Sequence, residues 1–357
     1  MIIIKINLIF LPIERKLFSY YEIPNLEVVL LIKYITKRLL FAIPLLFIIC
    51  LISFVIIELP PGDFITSYEM SLKQSGETID QATLELLRAR YGLDKPVVIR
   101  FFMWLGNLLK GDLGYSMLYQ KPVSDLLGAR LWWTVLISTL STVFAWTFGF
   151  LLGVYSGTHQ YSIGDYAFTV VGYLGVSIPN FLLALVLMWI AFSAFNVSLG
   201  GLFSPEYALS SWSLRKFLNL LQHLWIPIIV AGTDSMAGLI RVLRGNLLDE
   251  IDKPYVTAAK ARGVPEKKVY WKYPLRVAMI PFLSTAGWTI PGIISGVVVT
   301  GIVLNLPTVG TLLLDSLKAQ DMYLAGSLVL ILSIFTVIGT VVSDILLAWA
   351  DPRARLE

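Results

Sequence analysis

The side chains able to do covalent or metal chemistry are few and far apart. Cys50 is the single cysteine, and His159 and His223 are the two histidines, in 357 residues. No His-Glu-x-x-His pair occurs, and no Gly-x-x-x-x-Gly-Lys-[Ser/Thr] phosphate loop. An intramembrane protease would need a nucleophile beside a base, a metal motif or paired aspartates. One cysteine permits no disulfide within the chain and leaves the redox compartment unread. Two other features stand out. Asp234 and Asp344 are acids inside apolar runs, where an ionisable group is by default a functional hypothesis. Residues 254–263, Pro-Tyr-Val-Thr-Ala-Ala-Lys-Ala-Arg-Gly, form a short basic stretch rich in alanine.

The elements that hold these residues are set by composition. The chain is 57% hydrophobic and 15% charged. A soluble domain is nearer half apolar and a quarter charged, so lipid is the solvent. Crossing hydrocarbon takes about 20 apolar residues as a helix. Only helices or closed barrels satisfy their own backbone there. The runs are long and unbroken, so the expected class is an all-α integral membrane protein with six transmembrane helices. They are placed at about 39–59, 132–155, 167–195, 221–240, 278–304 and 322–350. The fourth is the weakest, since it carries His223 and Asp234.

Lysine and arginine orient the spans. Segment 241–277 holds Arg241, Arg244, Lys253, Lys260, Arg262, Lys267, Lys268, Lys272 and Arg276. Lys33, Lys37 and Arg38 precede the first span, and Arg353 and Arg355 follow the last. Six spans put these regions on one side, expected to be the cytoplasm, with both termini. The loop 60–131 is then extracytoplasmic. Within it, Thr78 is expected to cap a helix whose Leu84, Leu87 and Tyr91 share a face, ended by Gly92. Pro96 suits the start of a second helix, and Gly111-Asp112-Leu113-Gly114 reads as a turn. The loop is either a folded lid or a docking surface for an external partner. Residues 1–33 read as a poorly defined N-terminal extension rather than a signal peptide or a seventh span.

In the basic segment, Tyr255 to Arg262 reads as a short helix that Gly263 ends in a left-handed conformation. Pro265 opens a second helix over 265–276. The expected shape is helix, bend, helix. Ala258, Ala259 and Ala261 would leave a smooth face for a partner's groove, with charges at its rim. Asp234 lies seven residues before Arg241. It either pairs with Arg241 or Arg244 or lines a pathway. Asp344 is expected to hold a partner in the cytoplasmic loop, and His223 to sit at the outer interface beside Trp225. Gly172, Gly175 and Pro179, like Gly287, Pro291, Gly292 and Gly296, mark close helix contacts or kinks that open a cavity.

The segment resembles the EAA loop of permeases of binding-protein-dependent ABC importers, and within them the oligopeptide/dipeptide permease family (B-type subunit). That family's pattern runs D-Y-V-x-T-A-R-A-K-G. Here Thr257-Ala258-Ala259 falls on the E-A-A triplet and Gly263 on its glycine, while Pro254 replaces the leading aspartate. Further matches follow in order: the stretch 33–40, Pro61-Gly62-Asp63, residues 91–96 and 111–116, Ser177-Ile178-Pro179-Asn180-Phe181, and Asp351-Pro352-Arg353. One departure stands out. The family usually has a glutamate where Gly301 stands, and Pro-Gly where this chain has Pro307-Thr308.

The resemblance implies a type I ABC importer permease fold over 34–357, in a bacterial or archaeal plasma (inner) membrane. It implies a second related permease subunit, two cytoplasmic ABC ATPase subunits and an extracytoplasmic solute-binding protein, with no nucleic acid. No cofactor is expected on this chain, since ATP and Mg belong to the ATPase partners. ATPase docking falls to Tyr255, Thr257, Ala258, Ala259, Gly263, Pro265 and Glu266 of the coupling loop. Asp234, Pro179, Asn180 and Pro291 are pathway or gating candidates. The function implied is import of peptides or similar small solutes, by a subunit that is not itself an enzyme. The alternative is a secondary transporter, which would favour internal repeats and a mid-membrane ion site. A membrane-embedded enzyme has little support.

Overall fold

The computed structural model describes residues 26–59, 62–76, 80–197 and 199–350. The N-terminal extension up to residue 25, Pro61, the Thr78 cap and the Asp351-Pro352-Arg353 end lie outside the described residues. Among the described residues, five helices are long and apolar enough to cross a bilayer. They are α1 (Leu26–Glu58), α5 (Val123–Thr158), α9 (Leu214–Ile251), α12 (Pro274–Val303) and α14 (Met322–Ala350). Four outrun the expected spans, because flanking turns continue the helix: α1 starts before 39, α5 at Val123, α9 extends at both ends, and α12 starts at Pro274.

The expected third span is not one helix. It is α6 (Ile163–Ser177) and α7 (Asn180–Phe195), which meet at 114°. Pro179 is the cause. It has no N–H to donate to Gly175, and it forces Ile178 out of the helical region. Ile178 accordingly sits at φ −90°, ψ 119°. The chain restarts at once, with Leu182 and Leu183 N–H both donating to the Pro179 carbonyl. Neither half reaches the roughly 20 residues that a crossing requires.

Helix α9 is the axis of the bundle. In its apolar window 61% of residues are buried, against 22–39% in the other four long helices. Its tightest partner is α5. Gly149, Gly153 and Gly157 recur every four residues and face Leu239, Leu243 and Leu247, which recur at the same spacing. A Cβ at Gly149 would stand 2.7 Å from Leu239 Cβ, and one at Gly153 3.0 Å from Leu243 Cβ. Small residues that let two backbones approach are the usual basis of helix association in lipid. Gly175 sits likewise on Thr233, Gly287 on Ser343 and Gly296 on Ala231, whereas Gly292 faces open space.

The segment between α1 and α5 folds into α2 (Phe64–Gln74), α3 (Gln81–Tyr91), α4 (Val97–Leu109) and a hairpin of β1 (Tyr115–Ser116) and β2 (Lys121–Pro122). Leu84, Tyr91, Phe101, Trp104 and Met117 pack with Phe54 of α1 and Met322 of α14. Asp80 stands at the start of α3, and Gly92 ends it at φ 68°. Arg100 holds Glu58 with two bonds of 2.9 and 2.7 Å. Asp321, just before α14, accepts from Ser116 Oγ at 2.6 Å and Leu118 N–H at 3.0 Å. Burial pushes the Asp321 carboxyl above the usual range against those donors. The expected loop 60–131 is thus folded for most of its length and ends inside α5.

His223 is fully buried rather than at an interface, with Nδ1 2.8 Å from the Asn219 carbonyl. The added turns at the start of α9, with the short α8 (Pro205–Ala208) and its flanking loops, carry it inside.

Candidate functional site

After α9 the chain makes an elbow from α10 (Pro254–Ala261) and α11 (Glu266–Lys272). Pro254 takes a first-turn position, where a missing N–H loses no helical bond. Gly263 turns the chain at φ +77°, and its N–H donates to the Lys260 carbonyl at 2.9 Å. A β-branched residue would be strained there. Pro265, at φ −54° and ψ 137°, leads into α11. The expected second helix over 265–276 breaks at Tyr273, because Pro274 excludes it from the helical region and restarts the chain as α12.

The elbow has its own small core. Val256, Ala259 and Val269 are buried against one another, with Val264 and Tyr273 packed beside them. Ala259 is therefore buried inside the elbow and not on the smooth exposed face expected for it. Val256 and Ala259 lie three residues apart, on the side of α10 that meets α11. Thr257, Ala258 and Ala261 are exposed on the other side. Arg262, Lys267 and Lys268 are exposed on the same elbow and make it basic.

Polar ties brace this shape. Tyr255 O–H donates to Glu250 Oε2 at 2.5 Å, linking α10 to the end of α9. Burial and that bond push the Tyr255 phenol up to about 12. Across the bend, Lys260 Nζ lies 3.5 Å from Glu266 Oε1, which accepts from Tyr270 O–H at 2.6 Å. The bond from Lys260 to Tyr270 raises the lysine's pKa. Glu266 thus acts as a brace within the elbow. A cleft of roughly 570 Å³, lined by His159, Leu247, Tyr270 and Trp271 among others, separates α11 from the end of α5.

The pathway candidates are distributed differently. Pro179 makes the α6–α7 break, and Asn180 Nδ2 lies 3.3 Å from where a Gly296 Cβ would stand. The break thus meets α12 and α9 together. Pro291 is on the far flank of α12, near Gly339 of α14, and is not brought to that point. Asp234 is exposed midway along α9 and, among the described residues, forms no ion pair with Arg241 or Arg244. Arg244 instead holds Asp165, with Nε–Oδ1 and Nη2–Oδ2 both 2.8 Å. Arg241 lies 5.3 Å from the centre of the Tyr173 ring. Asp344 pairs with Arg38 of α1 at 3.2 Å, not with the coupling loop, because α1 is its neighbour in the bundle.

Asp165 was not singled out from sequence. Its available signal was the Ser162-x-x-Asp165 spacing of a helix start, and the Ser162 hydroxyl does accept the Asp165 N–H. Gly301 is buried, and a Cβ there would collide with Thr308 Oγ1. The Thr308 side chain fills the space that a residue 301 side chain would take. Among the described residues no three His, Cys, Asp or Glu side chains gather as metal ligands.

Residues 149–356 match the family described as "Binding-protein-dependent transport system inner membrane component". Residues 31–138 match "Binding-prot-dependent transport system membrane comp, N-term". The chain is similar to the oligopeptide transport system permease protein AppB of Bacillus subtilis (strain 168), at 35% identity over 322 residues, 90% of this chain and 98% of that one. It is also similar to the glutathione transport system permease protein GsiC of Escherichia coli (strain K12), at 30% identity over 327 residues, 92% and 100% of the two chains.

Proposed function

Because this chain belongs to the family of binding-protein-dependent transport system inner membrane components, we propose that it is the peptide-passing permease subunit of an ATP-driven importer and that its α10–α11 elbow docks an ATPase. The observation that carries the docking is the face of Thr257, Ala258 and Ala261. It is exposed, made of small side chains and turned away from the elbow's own core. A helix presenting such a face fits a groove at close range. The elbow's basic charges would set register and speed encounter more than affinity.

The remaining parts follow from that assignment. A second related permease would complete the channel, two ATPase subunits would sit beneath the elbows, and an external binding protein would meet the cap over 62–122. Both termini would lie on the ATPase side. The chain would hold no cofactor and catalyse no reaction, leaving ATP and Mg to its partners. Oligopeptides and glutathione, named in the relatives, are both peptides, and a peptide is the solute class we assign here.

The test is uptake into proteoliposomes holding the complete complex, with its binding protein outside. Expected is peptide accumulation that needs both ATP and the binding protein, and its loss when Ala258→Trp fills the small-residue face. Uptake driven by an ion gradient without ATP would place the protein among secondary transporters instead.

A further inference from the structure

Glu58, Asp165 and Asp344 each hold an arginine. Asp234 holds no cation among the described residues, although it lies far from either end of its helix. It is 20 residues beyond Leu214 and 17 before Ile251 on one continuous helix. An acid at that depth is costly unless it meets water, a partner or a solute. Its surroundings fit a solute. Arg241 follows seven residues later, nearly in line along the helix; it is also exposed, lies over the Tyr173 ring of α6, and has no acidic partner among the described residues. Gly238 stands between them on the same side. A Cβ added there meets nothing within 4 Å, so the helix surface between the two charges is a bare trough. Beside the trough, Gly175 of α6 rests on Thr233, so the end of the broken helix reaches the same level.

The spacing has a chemical meaning. Seven residues of helix span roughly 10 Å. An extended chain of three residues spans about the same length. We propose that this face of α9 is a transit site for the free backbone of a short peptide. Asp234 receives the N-terminal ammonium, Gly238 leaves room for the chain, and Arg241 receives the C-terminal carboxylate. This rests on the peptide-importer reading and adds the part of the solute that the membrane subunit recognises. Both groups occur on every unblocked peptide, so such a site selects for termini and length while ignoring side chains.

The test is equilibrium binding to the complete permease–ATPase complex in nanodiscs, without the binding protein. The probes are trialanine, N-acetyl-trialanine and trialanine amide. Wild type should bind trialanine at least about tenfold more tightly than either blocked form, the size expected for one hydrogen-bonded charge pair. Asp234→Asn should erase the preference for a free amino end, and Arg241→Gln the preference for a free carboxyl end. Asp234→Glu should keep most of the preference. Equal binding of all three forms by wild type, or absence of binding, overturns the transit site. So does an equal loss for free and acetylated peptide in Asp234→Asn, which would make Asp234 a subunit contact. ATP-driven peptide uptake by the same wild-type complex, run in parallel, separates the two readings. Its absence sinks the importer assignment itself, whereas uptake without discrimination between the three forms sinks only this site.

Discussion

Two regions of α-helical contact are built to opposite rules. The α5–α9 seam sets three glycines against three leucines at one shared period, and Leu239, Leu243 and Leu247 are wholly buried. The α10–α11 elbow rests on three small buried side chains and a few polar ties, with most of its surface open. The seam has no slack, so α5 and α9 must move as one body. The elbow is a handle. α10 follows α9 after two residues, and α11 runs into α12 through Tyr273 alone. A push on the elbow therefore reaches α9 and α12, the helices that meet the α6–α7 break. Packing density marks what must stay rigid, and under the proposed docking the exposed small residues are what a partner would grip.

The largest expected effect comes from breaking the seam. Gly153→Leu puts a Cβ 3.0 Å from Leu243 Cβ and a whole side chain beyond it. Overpacking of this kind costs about 1–3 kcal/mol and sometimes more. With no slack on either backbone, the upper end is expected. The protein should lose its thermal transition or its monodisperse peak on size exclusion, and Leu243→Ala in the same chain should restore part of it. A well-folded Gly153→Leu protein would show that the seam is looser than its geometry.

Gly263→Val tests the other side of the comparison. A β-branched residue at φ +77° stores about 1–3 kcal/mol of strain. That strain is confined to the elbow, so membrane yield and melting should stay near wild type while ATP-driven uptake is lost. Gly263→Asn should retain part of the uptake, since asparagine tolerates the left-handed region better. A collapse in yield equal to that of Gly153→Leu would mean that the elbow is not a separate handle.

How far the residues announced this arrangement varies with the range of the interaction involved. The long apolar runs and the Gly263–Pro265 bend are local, and both are where the sequence puts them. The α6–α7 break was obscured because Pro179 inside an apolar run is also compatible with a mild kink; the bend depends on what packs around it. Asp165 and Arg244 are 79 residues apart, so nothing local joins them. Of the two arginines expected beside Asp234, Arg244 is held by Asp165 and Arg241 lies over the Tyr173 ring, both contacts on α6 far away in sequence. The glycine period at 149, 153 and 157 was readable, but its leucine partners lie on another helix. Gly301 and Thr308 become intelligible only together. The space that a side chain at position 301 would take is filled here by the side chain at 308.

The smallest effect separates two neighbouring alanines. Ala258 and Ala259 have the same side chain, the same helix and the same place in the motif, and differ in direction by one residue of turn. Ala258 is exposed, while Ala259 is 6% exposed under Val256 and Val269. The native Cys50 is 3% exposed, so it gives little background to a bulky thiol reagent. Ala258→Cys should then react readily with a membrane-impermeant maleimide in the isolated permease, and Ala259→Cys slowly. Addition of the ATPase should protect the first and leave the second unchanged, because only the first belongs to the gripped face. Equal reactivity at both positions would mean that the elbow's core opens on the labelling timescale. In that case the elbow would be a hinge that folds against its ATPase, and its contrast with the seam would be one of order as well as of packing.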